Sequence, residues 1–262
     1  MKILLITSDG LRHKYAANRL HETSSVVGIV AEKKESLIAH LQPIDSQEAI
    51  HRHLEERLQV EEKLLGNRGF PNDVPLLSVE NGHSNTTEVF KWVNNHRPDL
   101  LVLYGSSIIK DPLLTFYKSR IINVHLGLSP YYRGSGTNFW PLVDGLPECV
   151  GATIHIATPK VDAGNILAQV RPEGIMSTDR AHEVGNKTIM TAFSLLTPIL
   201  DSYFNGDIVP KKQDLSIGAV YRRKDFTNDA VETMWANFEN AMISRYLAKQ
   251  RTRDEAYPIV TP

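Results

Sequence analysis

Residues 2–31, KILLITSDGLRHKYAANRLHETSSVVGIVA, decide the fold, because two apolar runs enclose a polar segment of helical periodicity. The first run, residues 2–7, is followed directly by the polar residues 8–10, a pattern typical of a buried parallel strand and its turn. Residues 11–23 place apolar side chains at helical spacing, and residues 25–31 form a second run that is rich in β-branched residues. This order of strand, helix and strand predicts an α/β sheet.

The same alternation continues along the chain. Further strands are predicted at residues 74–79, 99–104, 120–125, 150–157 and 165–170. Helices are predicted at residues 46–65, from Ser84 or Asn85 to Pro98, and at residues 179–204 and 227–247. We therefore expect a doubly wound, mostly parallel α/β sheet in a domain of residues 1–205, followed by a short, partly helical C-terminal extension of residues 206–262.

The predicted helix 46–65 has Ser46 as its N-cap and ends at Gly66. Apolar residues form a broken stripe along one side of it. The charged residues are predicted to form mostly a solvated face and not a ligand site; they are Glu55, Glu56, Arg57, Glu61, Glu62 and Lys63.

Composition limits the class of protein. The 262 residues carry a formal net charge of −1, which excludes a nucleic-acid binder held by bulk positive charge. Cys149 is the single cysteine, so no intrachain disulfide can form. No stretch approaches the ~20 apolar residues that a membrane helix needs. We expect a cytoplasmic protein that neither enters a membrane nor depends on a disulfide.

The loop after the first strand does not match a dinucleotide site. Such a site needs Gly-x-Gly-x-x-Gly, whereas residues 7–12 read TSDGLR and contain only Gly10. We interpret Gly10 as a turn residue, and NAD is disfavoured. No P-loop pattern and no His/Cys cluster with metal-ligand spacing occurs in the sequence, so no metal site is predicted.

Residues 121–169 carry the chemistry. Asn123 and His125 lie two apart at the end of a predicted strand, so their side chains share one face at the edge where parallel sheets bind ligands. An amide and an imidazole there can stabilise an oxyanion and move a proton. From spacing alone, Asn123 can equally cap a turn while His125 satisfies a backbone carbonyl. Asp162 lies in the turn between two predicted strands, and a carboxylate near His125 would raise the pKa of the imidazole and orient it.

Three motifs together resemble the formyltransferase family that uses N10-formyltetrahydrofolate. They are Asn-x-His at residues 123–125, a Leu-x-Pro loop followed by Arg-Gly at residues 128–134, and Asp-x-Gly at residues 162–164. The resemblance covers roughly residues 75–205 and is weaker over residues 1–31. It implies a Rossmann-type doubly wound fold, an N-formyltransferase activity and N10-formyltetrahydrofolate as the cofactor.

The resemblance also implies catalytic roles. An acceptor amine would attack the formyl carbon and form a tetrahedral intermediate. Asn123 would donate to the oxyanion, and a cationic His125 would stabilise the same charge or assist the proton transfers. Asp162 would hold His125 and help to take the amine proton.

Two loops are assigned to the folate by the resemblance. Residues 103–109 are similar to the strand-end loop that holds the pterin, which implies contacts from Tyr104, Gly105, Ser106 and Ile108, although an ordinary strand-to-helix turn remains an alternative. Leu128, Ser129 and Pro130 are implied to pack against the folate. Family members usually read Ser-Leu-Leu-Pro where this chain has residues 127–130 as GLSP, so these contacts stay open.

The acceptor is suggested by residues 132–140, YRGSGTNFW, which are similar to the Asn-Arg-Gly-x-x-Pro-Asn-x-Trp pattern of nucleotide-sugar N-formyltransferases. The implied substrate contacts are Tyr132, Arg133, Gly134, Asn138 and Trp140. The last two can also cap and pack the following helix. The basic cluster of residues 222–224 either meets a diphosphate or is a solvated surface run.

We therefore expect a small-molecule amine, carried by an amino sugar nucleotide, as the acceptor, and the resemblance then implies a pathway to surface polysaccharides. The alternatives are another small amine such as glycinamide ribonucleotide, methionyl-tRNA, hydrolysis of formyltetrahydrofolate, and a non-catalytic folate- or nucleotide-binding module. Methionyl-tRNA enzymes carry a C-terminal β-barrel, whereas residues 227–247 are predicted to be helical. The apolar side of that helix either packs on its own domain or forms a homodimer seam.

Overall fold

The computed structural model describes residues 1–34 and 47–261 and is built on a seven-stranded sheet. The strands are β1 (Lys2–Ser8), β2 (Ser25–Glu32), β3 (Leu76–Val79), β4 (Leu100–Tyr104), β5 (Ile121–His125), β6 (Tyr132–Gly134), β7 (Ala152–Ile156), β8 (Ile166–Val170) and β9 (Ala219–Tyr221). The sheet order is β3-β2-β1-β4-β5-β7-β8, in which the first five strands are parallel, β7 is antiparallel to β5, and β8 is antiparallel to β7. The predicted doubly wound, mostly parallel α/β fold is confirmed.

The helices cover both faces of this sheet. They are α1 (Leu11–Thr23), α2 (Glu48–Leu65), α3 (Thr87–Asn95), α4 (Leu113–Phe116), α5 (Trp140–Val143), α6 (Ala181–Phe204), α7 (Asn228–Glu239), α8 (Met242–Leu247) and α9 (Gln250–Ala256). Alternate residues of β1 enter two separate cores: Ile3 and Leu5 pack with α1 and α6, whereas Leu4 and Ile6 pack with α3 and α4. Burial on both sides explains why the first strand is a continuous apolar run and not an alternating one.

The predicted helix over residues 227–247 is interrupted. Ala241 has a φ of 55°, which ends α7 and starts α8 in a new direction. This break lets Val231 pack on α2 while Met242 and Ile243 pack against Val150 and neighbouring residues. The apolar sides of α7 and α8 therefore have their partners within the chain. Ser46, the predicted cap of α2, lies outside the described residues.

Two short strands in the C-terminal half were not predicted. β6 and β9 pair in parallel, with Gly134 opposite Tyr221, so the C-terminal extension that was expected to be partly helical also contributes a strand. A Cβ on Gly134, whose φ is +95°, would lie 2.2 Å from the carbonyl oxygen of Tyr221, which explains why glycine occupies this position. Across the described part of the chain, no helix combines the length and apolar character needed to cross a membrane.

Candidate active site

The three residues that the motifs singled out meet at the carboxyl end of β5. Asp162 joins them: its Oδ1 lies 3.2 Å from Asn123 Nδ2 and its Oδ2 lies 3.3 Å from His125 Nδ1. The backbone N–H of Gly134 donates to Asp162 Oδ2 at 2.9 Å. Asp162 has a φ of +46°, a left-handed conformation that Asp and Asn adopt more readily than most residues. The turn between β7 and β8 thus delivers a carboxylate to both side chains.

His155 completes the cluster, and the sequence analysis did not single it out. It lies on β7 directly opposite Asn123, and its Nε2 is 3.1 Å from Asn123 Nδ2 and 3.5 Å from Asp162 Oδ1. Its Nδ1 lies 3.0 Å from the carbonyl oxygen of Ile156, which can only accept, so Nδ1 carries the hydrogen and Nε2 accepts. Only the antiparallel pairing of β5 with β7 identifies this residue.

The amide of Asn123 is held by two acceptors. Its Nδ2 has two hydrogens, and it lies within hydrogen-bonding distance of Asp162 Oδ1 and of His155 Nε2. An oxyanion must therefore compete for one of these hydrogens. The bond to the ionised carboxylate is the stronger of the two, so the hydrogen facing His155 is the one that Asn123 can release more easily.

Burial and charge set the protonation of the pair. Burial lowers the pKa of His125 below its usual 6.5, and the opposing pull of the Asp162 carboxylate does not reverse this. The carboxylate acts in the expected direction, but burial is the larger effect and sets the overall direction. Burial alone would raise the pKa of Asp162, but His125, His155 and the Gly134 N–H together lower it to about 2. A neutral imidazole beside a carboxylate is the state favoured at neutral pH.

The cluster opens into a cavity of about 1080 Å³ that runs across the carboxyl ends of the parallel strands. Ten of the predicted site residues line it: Tyr104, Gly105, Ser106, Ile108, Asn123, His125, Gly134, Asn138, Trp140 and Asp162. Arg222 and Arg223 also line the cavity. Its volume lies just above the usual range for pockets that hold one small molecule, which suits two molecules bound side by side.

The predicted folate contacts of the Leu128–Pro130 loop need correction. None of Leu128, Ser129 and Pro130 is among the described residues that line the cavity. Leu128 is buried against Gly151, and Ser129 is fixed by its N–H to Thr153 Oγ1 at 2.9 Å and by Gln169 Nε2 to its carbonyl at 2.7 Å. The main chain of the loop is thus anchored to β7 and β8, while the buried Ser129 hydroxyl has no hydrogen-bond partner among the described residues.

Tyr132 and Arg133, predicted to contact substrate, also lie outside the described cavity lining. The hydroxyl of Tyr132 donates to Asp144 at 2.8 Å. The Arg133 guanidinium is buried and donates to the carbonyls of Pro130, Leu215 and Ile217 at 3.2–3.4 Å. Arg133 therefore braces the chain that leads to β9 instead of facing a ligand.

Asn138 and Trp140 line the cavity and also pack. Asn138 Oδ1 accepts from Gly151 N at 3.1 Å, while its buried Nδ2 has no hydrogen-bond partner among the described residues. The Trp140 indole N–H donates to the carbonyl of Ser135 at 2.9 Å, and its ring stacks on Tyr221 at 4.6 Å. Asn138 thus keeps a donor for a ligand, whereas Trp140 matches the packing alternative.

The solvated face that was predicted for α2 is wrong at two positions. Glu61 is buried and Arg57 is half-buried, and both line the cavity. Glu61 can be buried because Arg12 of α1 pairs with it, donating from Nε to Glu61 Oε1 at 2.8 Å. Within the described ranges, no group of three or more His, Cys, Asp or Glu side chains is arranged to hold a metal ion.

Comparison with known proteins gives the following matches. The sequence profile described as formyl transferase matches residues 1–198. The methionyl-tRNA formyltransferase of Bacillus licheniformis is 33% identical over 118 residues, which are 45% of this chain and 37% of that protein. The GDP-perosamine N-formyltransferase of Brucella melitensis is 26% identical over 157 residues, which are 60% of this chain and 59% of that protein. The chain thus spans less than two thirds of either relative.

The similarity extends to solved structures. A sugar N-formyltransferase from Shewanella sp. has a TM-score of 0.55 at 19% identity, over 86% of this chain and 78% of that one. At this level of identity the match shows a shared fold.

Proposed function

Because the chain belongs to the formyl transferase family, we propose that it transfers the formyl group of N10-formyltetrahydrofolate to a primary amine of an amino sugar nucleotide. The observation that carries the proposal is the contact of Asn123, His125 and Asp162 within one cavity. The Brucella relative, whose name specifies a nucleotide sugar, aligns with a larger share of this chain than the methionyl-tRNA enzyme does. The Asn138-x-Trp140 pattern supports the same acceptor class.

The cavity wall fits a folate. Residues 104–108 line it directly after β4, and Gly105 has a φ of +64°, with a Cβ position only 2.4 Å from His13 Nε2. Position 105 requires glycine because the His13 ring fills the space that a Cβ would take, and this close packing fixes the strand-end loop that forms the cavity wall. Tyr104, Gly105, Ser106 and Ile108 would hold the formyl-folate, which supplies an electrophilic formyl carbon when it is bound.

His125 is the proton acceptor in this proposal. Its Nε2 lies 3.1 Å from the carbonyl of Tyr132, which can only accept, and 3.3 Å from Thr137 Oγ1, whose hydrogen is donated to Leu126 O. The neutral ring therefore carries its hydrogen on Nε2 and leaves a lone pair on Nδ1 beside Asp162. A proton that arrives at Nδ1 completes an ion pair with Asp162, so the carboxylate stabilises the imidazolium that forms.

This arrangement changes two of the implied roles. Asp162 accepts hydrogen bonds from the Gly134 N–H and from Asn123 Nδ2, which makes its carboxylate a weak base that serves to position and stabilise His125. His125 starts neutral and becomes cationic only after it takes the amine proton. Asn123 supplies the amide hydrogen for the negative charge on the formyl oxygen, and His155 keeps that amide in place until then.

The pH dependence of His125 tests this assignment. We expect His125 to titrate below pH 6.5 in the folded protein and lower still in Asp162→Asn, because burial lowers the pKa and the carboxylate opposes that change. NMR titration of the ring, assigned by its loss in His125→Gln, measures both values. As His125 becomes protonated, kcat/KM should fall when the pH drops through this pKa, since an imidazolium cannot accept the proton. Titration above pH 6.5, or a rise of the pKa in Asp162→Asn, would contradict the assignment.

The proposed function is tested by product formation. The purified protein is incubated with N10-formyltetrahydrofolate and, separately, with amino sugar nucleotides, glycinamide ribonucleotide and methionyl-tRNA, while folate absorbance is followed. We expect release of tetrahydrofolate with at least one amino sugar nucleotide. Turnover with methionyl-tRNA alone would assign the chain to that acceptor. Turnover with water alone would indicate a hydrolase, and folate binding without any turnover would indicate a binding module.

A further inference from the structure

The cavity wall opposite the catalytic cluster carries two arginines that share one carboxylate oxygen. Arg12 of α1 donates to Glu61 Oε1 from Nε at 2.8 Å, and Arg57 Nε lies 3.4 Å from the same oxygen. Across the described ranges, neither guanidinium contacts another carboxylate. Their side chains keep 25% and 28% of their surface exposed, whereas that of Glu61 keeps 4%. One buried negative charge therefore faces two positive groups that are still open to the cavity.

Buried polar atoms without partners surround this pair. Within the described residues, His13 Nδ1, His53 Nδ1 and Tyr104 Oη make no hydrogen bond, and all three residues are at most 6% exposed. They line the same cavity as Arg12 and Arg57. Native proteins rarely leave buried polar groups unsatisfied, and a ligand rich in acceptor oxygens would satisfy them together with the guanidinium hydrogens.

The charge at this wall is locally positive although the whole chain is nearly neutral. Lys34 also lines the cavity, and the carboxylates that line this wall are those of Asp9 and Glu61. The Glu32 carboxylate, which is not part of the described lining, also acts on Lys34. Burial, with Arg57 and Arg12, lowers the pKa of His53 to about 4. Burial and Arg12 lower the pKa of Arg57 to about 10. The lowered pKa values show that this wall disfavours additional positive charge. A bound anion would offset that effect and favour the protonated side chains.

The distance to the catalytic cluster suits one small molecule. Arg12 follows β1, and β1 is separated from β5 only by β4. The backbones of β1 and β5 are therefore roughly 10 Å apart, and this is the scale of the separation between the strand ends that lead to Arg12 and carry His125. A phosphate at Arg12 and an amine at His125 can therefore belong to the same phosphorylated sugar or nucleotide-linked sugar.

We propose that Arg12 and Arg57 bind a phosphate group of the acceptor, with His13, His53 and the Tyr104 hydroxyl as further partners, while the folate contact of Tyr104 is through its main chain. The inference deepens the proposed function, since it requires that the amine be carried by a phosphorylated molecule. Arg222 and Arg223, the earlier candidates for a diphosphate, are exposed on the cavity lining and make no comparable buried cluster among the described residues. The paired arginines, which are more deeply placed, are the better anion site.

The experiment measures binding of inorganic pyrophosphate by calorimetry, which needs no turnover. We expect Arg57→Gln to weaken binding about 10–100-fold, as for a lost hydrogen bond to a charged group, and Arg57→Lys to recover part of it. The matched control is Arg52→Gln, which removes the same charge from the same helix at a side chain that is 66% exposed and is not part of the described cavity lining. The control should bind like the wild type, and thermal melting verifies that each variant is folded.

A second readout locates the anion. Pyrophosphate should raise the pKa values of His13 and His53, followed by NMR, because a nearby negative charge favours the imidazolium. No binding by the wild type, equal binding by Arg57→Gln, or unchanged histidine pKa values would overturn the proposal.

The carboxylates of the folate tail are the other source of anionic oxygens. The dissociation constants of tetrahydrofolate and tetrahydropteroate, which lacks the glutamate, are therefore compared in the wild type and Arg57→Gln. If the variant loses affinity for tetrahydrofolate only, Arg57 serves the folate and the acceptor assignment is overturned. If no amine is formylated while pyrophosphate binding still depends on Arg57, the anion site stands and the proposed transfer fails.

Discussion

Replacing Asp162 with asparagine is expected to lower kcat for formyl transfer by about 10²–10⁴-fold, the range for loss of general acid–base catalysis, because His125 depends on this carboxylate when it accepts the proton. The carboxylate contacts Asn123, His125 and the Gly134 N–H at once, and an amide cannot stabilise the imidazolium that forms at His125. Asparagine suits the test better than alanine because it keeps the shape of the side chain and tolerates the φ of +46°. Steady-state kinetics, together with a thermal melt, measure the effect.

The matched control for this variant is Asp207→Asn. It makes the same change at an exposed carboxylate that lies after α6. We expect Asp207→Asn to retain wild-type kcat and KM. If Asp162→Asn turned over at a near-normal rate, or if it lost activity only because it melted at the assay temperature, the proposed role of Asp162 would be wrong.

Replacing Phe193 with alanine is expected to lower the free energy of unfolding by about 3–5 kcal/mol, as for other buried phenylalanines. Phe193 lies on α6, is 1% exposed and belongs to the core between this helix and the sheet. Its ring packs edge-on against Tyr104 with centroids 4.9 Å apart, so the cavity left by the ring would adjoin the wall of the active site. Urea unfolding, fitted with a common m value, measures the change.

Met190→Ala is the control on the same helix. Met190 is 36% exposed, and truncating it should cost less than about 1 kcal/mol. A loss at Phe193 no larger than that at Met190 would show that α6 is not held to the sheet by this contact.

The fold could be predicted because its signals are local and repeated. Strands such as β1 and β4 are buried on both faces and therefore appear as unbroken apolar runs. The break at Ala241 could not be predicted, since nothing in the local sequence requires a left-handed residue there. It follows from the contacts of α7 with α2 and of α8 with the chain around Val150, which are distant in sequence.

The candidate site likewise combines residues that could be predicted from local sequence with residues whose positions depend on distant contacts. Asn123, His125 and Asp162 could be named from spacing and resemblance, and the structure brings them together. His155 could not, because its place depends on the register between β5 and β7. Arg133 was expected to face substrate because residues 132–140 resemble a family pattern, yet its guanidinium donates to three backbone carbonyls. Arg57 was expected to face solvent, yet it lines the cavity. The sequence of a helix with many charged residues does not indicate which of them points towards the protein.

The pairing of β6 with β9 ties the reacting centre to the C-terminal part of the chain. Gly134 holds Asp162 by its N–H while it pairs with Tyr221, and Gln213 donates to the carbonyls of Asp162 and Gly164. The polypeptide beyond residue 205 therefore helps to fix the position of Asp162, directly through Gln213 and indirectly through the pairing of Tyr221 with Gly134. Substitutions beyond residue 205 can therefore shift the position of Asp162 without changing any residue that contacts a reactant. A fragment that ends at residue 205 would lose these contacts to Asp162.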